Sequence, residues 1–449
     1  MLCRRVIFDA PVLPAIPFSP TISKAHDFSR QWSNQVENDQ KKTNRENDPT
    51  HSQTQTALDV SSRRRFLENA GGLLTASLLA GPALSEQQAL AQEPENLPAG
   101  SNRERAETAY QLRLKAAQTY RELPLTEHPT NGDETLYPNK TGNFSKTLPH
   151  NQLGEVDLIA YQELTKAATS GRADDFDRIP LGGSVPLTNP QAGMAFDLLG
   201  FDSRQLAMPA APALASREIA AEIAENYWMA LTRDVHFQDY GNHPMTVLAA
   251  QDLSRFTDFR GPKSGRPAFR RAPLGRTVSI QTLFRGNTPG ELTGPYVSQF
   301  MLKEIPYGSQ TNSQKMRTPL AGDDYMTTYE EWLDVQRGAP RGLNRYDQVE
   351  RYIRNGRDLG EWVHRDVLFQ AYFNGLLLLL GMNAPFDAQN PYNNVRNQAG
   401  FGTFGPPHIQ SLVCGVASSA LRAVWYQKWF VHRRLRPEAF AGRVHNHIT

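Results

Sequence analysis

Apolar positions recur at helical spacing along most of the chain beyond residue 100. Ala106, Ala109, Tyr110, Leu112, Ala116, Ala117 and Tyr120, with charges between them, predict a helix over 103–123 that Pro124 ends. A polar loop rich in Pro and Gly follows over 126–153, then a short helix over 157–169. Ile219, Ile223, Tyr227 and Ala230 form a stripe behind Ser216, a good N-cap, and predict a helix to Leu231. Shorter helices are expected over 243–256 and 329–335. Residues 357–382 read as one long helix, apolar on most of its circumference, which belongs in the middle of a bundle. Residues 383–407 read as a loop, and 408–436 as a last helix, apolar and buried, stopped by Pro437. Strand patterns are few and short, so the class is mainly α, built from packed helices.

The first 91 residues have another character. Residues 1–57 are rich in Ser, Thr, Asn, Gln and charge, and they read as a disordered N-terminal extension. Residues 58–91 hold Arg63-Arg64-Arg65-Phe66-Leu67, a Gly/Ala-rich apolar stretch and Ala89-Leu90-Ala91. Basic, apolar and small-x-small in that order is a secretion pattern, and the paired arginines make it twin-arginine-like. The expectation is an exported protein, periplasmic or extracellular, whose helical domain occupies 92–449.

Composition narrows the chemistry mainly by exclusion. The 449 residues carry 48 Lys and Arg against 46 Asp and Glu, a net +2, too balanced for a general nucleic-acid binder. Cys3 and Cys414 cannot staple a scaffold or hold a multi-cysteine metal site; Cys414, among Leu412, Val413, Val416 and Ala417, reads as a buried structural thiol. No apolar run reaches the roughly 18 residues that span a bilayer. The sequence has no G-x-S-x-G, P-loop, H-E-x-x-H or C-x-x-C motif. The Gly-rich stretch 286–294 reads as a turn, and His445-Asn446-His447 as an exposed pair in a turn rather than a metal site.

The segment from Trp425 to Glu438 is different. On a continuous helix, Lys428 and Arg436 stand about 80° apart, and Trp425, Trp429, His432 and Arg436 fall on one stripe. Large aromatics and fixed positive charge would then share neighbouring faces of a buried helix. Buried cations need an anionic partner, and Glu438 is the only carboxylate between His408 and Thr449. A bound oxyanion would fill that gap, Lys supplying a point charge and Arg a planar fork. The other reading is a helix end whose Lys and Arg offset the dipole, with their stems packed on the aromatics.

Lys428-Trp429, His432-Arg433-Arg434-Leu435-Arg436-Pro437-Glu438 resembles the first catalytic motif of vanadium-dependent haloperoxidases, a family sharing its helical-bundle fold with acid phosphatases. The K-x7-R-P spacing is similar to that of the bromoperoxidase branch. Tyr137-Pro138-Asn139-Lys140, Leu148-Pro149-His150-Asn151, Phe284-Arg285-Gly286, Gly294-Pro295-Tyr296 and Phe404-Gly405-Pro406-Pro407-His408 also resemble its cyanobacterial and algal members. The resemblance implies vanadate as cofactor, its oxygens held by Lys428 and Arg436. It implies that Lys428 also polarises hydrogen peroxide, so that halide, bromide above all, is oxidised to a hypohalous-acid-like species that halogenates an organic acceptor. Trp425 falls where the family lines its halide pocket. An assembly of identical chains is expected, with no nucleic acid and no membrane span.

Departures from the family pattern are as informative. The family places a Ser-Gly-His motif, an Arg and an axial His well downstream of the Lys–Arg motif, and the sequence has no Ser-Gly-His. His445 and His447 lie too close to that motif to take the axial role. Residues 390–398 have no carboxylate, so a calcium site of some algal members is not carried over. The expectation is therefore a fold incomplete at its C-terminus, with 340–449 the first part of the catalytic bundle, and no halogenating activity as it stands. The alternatives are an acid phosphatase of the same superfamily and a non-catalytic helical protein that binds an anion or assembles.

Overall fold

The structure is a computed structural model, and it describes residues 101–124, 126–196, 202–263, 277–365 and 367–448. The extension and the signal-like segment fall outside the described residues. Of the longer helices, α1 spans Asn102–Glu122, α2 Leu158–Ser170, α3 Arg217–Leu231, α4 Pro244–Leu253, α5 Tyr329–Gln336, α6 Gly356–His364, α7 Gln370–Gly381, α8 Pro406–Tyr426 and α9 Pro437–Ile448. Among the described residues strands are confined to one hairpin, β1 (Ile305–Tyr307) and β2 (Gln310–Asn312), antiparallel with Pro306 opposite Thr311. Among the described residues no helix is long and apolar enough to cross a membrane.

Local chemistry explains most of these boundaries. Ser216 Oγ accepts the Ile219 N–H at the start of α3, Asp157 caps α2 through Ala160, and Thr328 caps α5 through Glu331. Gly171 closes α2 in the left-handed region, at φ +67°. Helix α1 has a full capping box between Ser101 and Glu104, yet none of its residues is buried.

The core is divided among several clusters. Trp228, Tyr240, Leu253, Val278 and Leu283 join α3 and α4 to the loop that follows. Leu148, Tyr161, Leu164 and Trp429 join α2 to the end of α8, and Ile219, Ile223, Leu435, Phe440 and Val444 join α3 to α9. The stretch between α8 and α9 is therefore gripped from two sides. A fourth cluster gathers Met326, Trp332 and Leu333 around α5.

Two long helices expected from the sequence are not continuous. The 357–382 helix is two helices, α6 and α7, which answer to different partners. Helix α6 buries polar residues: Arg357 pairs with Asp234 at 2.5 Å and Asp324 at 2.9 Å. Helix α7 lies against β1, where a Cβ on Gly381 would meet Pro306, and it buries only Leu377 and Leu378. It is not the centre of a bundle, since Leu379 is exposed. The 408–436 helix stops early, and Pro437 opens α9 instead of ending a helix, because proline is well tolerated in a first helical turn. Helix α8 is less buried than expected. Only Ala417 and Ala423 are fully covered, and Cys414 is half-buried.

Candidate active site

Helix α8 widens at its end into a π turn, Gln427–His432, with the Arg433 N–H donating to the Lys428 carbonyl at 3.1 Å. Arg433 then takes a left-handed conformation, φ +36°, and the chain leaves the helix. Residues 142–144 run alongside the exit. The Phe144 N–H donates to the Arg433 carbonyl, Leu435 N–H to Gly142 at 3.3 Å, and Asn143 bridges antiparallel to Arg434. Backbone pairing thus draws residues 433–435 out of the helix before Pro437 starts the next one.

This geometry corrects the helical stripe. Trp425 and Lys428 stay together, but Arg436 lies past the helix, so the 80° separation does not apply. Lys428 Nζ sits 4.7 Å from the Trp425 ring centroid, 5.3 Å from Phe144 and 5.4 Å from Trp429. Each ring face attracts a cation, so the three together form a cage around the ammonium. Phe144 meets Trp429 edge to face, with centroids 4.9 Å apart. The Trp425 indole donates to the Thr188 carbonyl at 3.3 Å, which fixes that wall.

Arg436 has a different setting. Its Nε donates to Glu438 Oε1 at 2.7 Å, and Lys146 Nζ reaches the same oxygen at 3.1 Å. Glu438 is wholly buried in the first turn of α9, where a carboxylate also suits the helix dipole. Burial pushes its carboxyl up, but Arg436 and Lys146 outweigh this and hold it below the usual range.

The expected shortage of carboxylates is overturned, because partners come from distant segments. Arg433 Nε and the Tyr161 hydroxyl both donate to Glu134 Oε1, and Arg434 pairs with Glu222. Glu134 lies 299 residues before Arg433, beyond any local spacing rule. His432 has a buried Nε2 with no hydrogen-bond partner among the described residues, and burial first, then the charges on His128 and Arg434, push its pKa down. His445 is helical rather than in a turn, and stacks on Tyr329 with centroids 5.2 Å apart. His447 lies on the same helix, its side chain outside the described residues. Among the described residues no group of three His, Cys, Asp or Glu is placed to hold a metal ion.

Sequence reasoning therefore placed Lys428 beside Trp425 correctly and set Arg436 on the wrong element. It missed Phe144, Lys146 and Glu134, which lie outside the motifs 137–140 and 148–151 that it singled out. Lys146 and Arg436 meet at Glu438, and Lys428 stands among its three rings; ammonium and guanidinium groups of this kind suit an oxyanion and would repel a bare metal cation.

Fold and side chains together define a helical protein that gathers cations and aromatic rings where α8 meets α9. The chain belongs to the vanadium-dependent bromoperoxidase family: it is 35% identical over 414 residues to the vanadium-dependent bromoperoxidase of Corallina pilulifera, covering 78% of this chain and 69% of that protein. It is 36% identical over 350 residues to that of Ascophyllum nodosum, covering 76% and 61%. Among solved structures it is similar to the homohexameric second vanadate-dependent bromoperoxidase of A. nodosum, with TM-score 0.71 and 33% identity over 82% of this chain and 61% of that one. No family model matches the chain. The chain thus spans between 61% and 69% of the length of these relatives.

Proposed function

We propose that this chain holds vanadate through Lys428 and Arg436 and serves the oxidation of bromide by hydrogen peroxide. Vanadate, when bound, supplies the centre at which peroxide is made electrophilic without any change in the metal's oxidation state. Bromide gives two electrons to peroxide, whose O–O bond breaks; with one proton taken up, the products are hypobromous acid and water, and the former halogenates an organic acceptor.

The residues present have separable tasks. Lys428 is held in place by its ring cage, suited to binding one oxygen of the anion and to polarising another. Arg436 is aimed by Glu438, which occupies its Nε edge. Trp425 forms a wall beside Lys428, and we assign it to the halide approach. The observation that carries the reading is the Lys428 ammonium among three rings, one helical turn beyond Trp425, in a chain of this family. The phosphatase alternative is not favoured, since the relatives matched are bromoperoxidases.

We further propose export by the twin-arginine-like segment to the periplasm or beyond, and assembly into a homo-oligomer, in line with the homohexameric relative. The decisive experiment is titration of the full chain with orthovanadate, followed by bromination of monochlorodimedone with peroxide and bromide. Lys428→Ala should abolish binding. Equal vanadate affinity in Lys428→Ala and the parent would sink the assignment.

A further inference from the structure

Lys146 reaches Glu438 from 292 residues away and shares its Oε1 with Arg436. Its side chain is 15% exposed, and that of Glu438 not at all. Glu438 Oε2 is buried with no hydrogen-bond partner among the described residues. Two cations crowd one oxygen while the other is left over. As a stability device this is poor, because buried ion pairs often do no better than apolar packing. As a way to hold two cations side by side it is effective.

The charges around Lys146 point the same way. Burial, the largest influence, and the nearby guanidiniums of Arg436 and Arg341 push its pKa down, while Glu438 pulls it up. Two like charges thus oppose one counter-ion, a setting that an added anion would relieve. The segment that carries Lys146 is also tied to the other half of the site. Phe144, two residues earlier, contacts the Lys428 ammonium, and its N–H pairs with the exit of the π turn.

We propose that Lys146 is a third cation of the oxyanion site, and that Glu438 is the positioning residue that sets it beside Arg436. This rests on the reading of Lys428 and Arg436 given above. The ligand is a small tetrahedral oxyanion: vanadate, with inorganic phosphate as its redox-inert analogue.

The test is calorimetric titration of the full chain with orthovanadate, and separately with phosphate. Lys146→Gln should weaken both by about tenfold, the loss of one charge-assisted hydrogen bond, and Lys146→Arg should stay within about threefold of the parent. A second measurement needs no variant. Acetylation of Lys146 by acetic anhydride, followed by mass spectrometry, should slow when vanadate is present. If Lys146→Gln lowers the melting temperature but binds within twofold of the parent, and vanadate gives no protection, the proposal fails and Lys146 is structural. Loss of binding in Lys428→Gln alone would keep the site and reject Lys146. No binding by the parent chain would reject both.

Discussion

The indole Nε1 of Trp332 donates to the backbone carbonyl of Glu438 at 2.7 Å, although 106 residues separate them. The residue that orients Arg436 is thereby anchored to α5 through its main chain and to Lys146 through its side chain. Trp332 is 2% exposed and lies against two glycines. A Cβ on Gly442 would stand 2.0 Å from its ring, and one on Gly154 2.5 Å. Gly442→Ala should therefore destabilise the fold by about 1–3 kcal/mol, as overpacking does against a rigid ring. Urea unfolding measures this. A midpoint unchanged from the parent would mean that α9 can shift freely, contrary to the anchoring described.

Lys428 should trade stability for function. Its charge is half-buried, and the three rings offset the loss of hydration only in part, at about 0.5–2 kcal/mol. Lys428→Met keeps the packing and removes the charge. The expected result is a melting temperature equal to or above that of the parent, with vanadate binding lost. A strong drop in melting temperature would show that the ammonium is chiefly a structural group.

Arg433 combines an ion pair with a backbone conformation that favours glycine. Arg433→Ala loses the Glu134 contact and keeps a Cβ at φ +36°, whereas Arg433→Gly loses the contact and relieves the backbone. The alanine variant should be less stable than the glycine variant by about 1 kcal/mol, measured by chemical denaturation. Reversal of that order would indicate that unfolded-chain entropy dominates at this position.

His150 is a buried neutral histidine. Its Nδ1 lies 2.6 Å from the Leu148 carbonyl and its Nε2 3.1 Å from Ser145 Oγ, and burial, the largest cause, lowers its pKa to about 4. The unfolded chain binds the proton more readily, so its contribution to stability is present above pH 6.5 and is lost as pH falls toward 4. The full difference is about 3 kcal/mol at most. Comparing the parent with His150→Gln between pH 7.5 and 4.5 checks the sign: the gap in unfolding free energy should narrow as the solution becomes acidic.

What the sequence disclosed follows from the range of each interaction. Ser216 and the stripe behind it marked α3 correctly, because an N-cap and its helix are settled within a few residues. The proximity of Trp425 to Lys428 was legible for the same reason. Pro437 was misread because proline both ends helices and begins them, and only the pairing of Asn143 with Arg434 decides which. The carboxylates that balance Arg433 and Arg434 come from 299 and 212 residues away, and no periodicity encodes such a distance. Lys146 was hidden in the same way: it falls between the motifs 137–140 and 148–151, and its partner lies 292 residues away.

The π turn at Gln427–His432 also bears on how this stretch is aligned with its relatives. A widened turn takes one more residue than an α-helical turn without lengthening the helix that precedes it. An inserted or deleted residue between Lys428 and Arg436 can thus be absorbed as a bulge. The chain on either side, from Trp425 backward and from Pro437 onward, keeps its frame. Counting positions between the two cations is then a poor guide to the distance between their charges, and a gap placed inside this turn costs the comparison little.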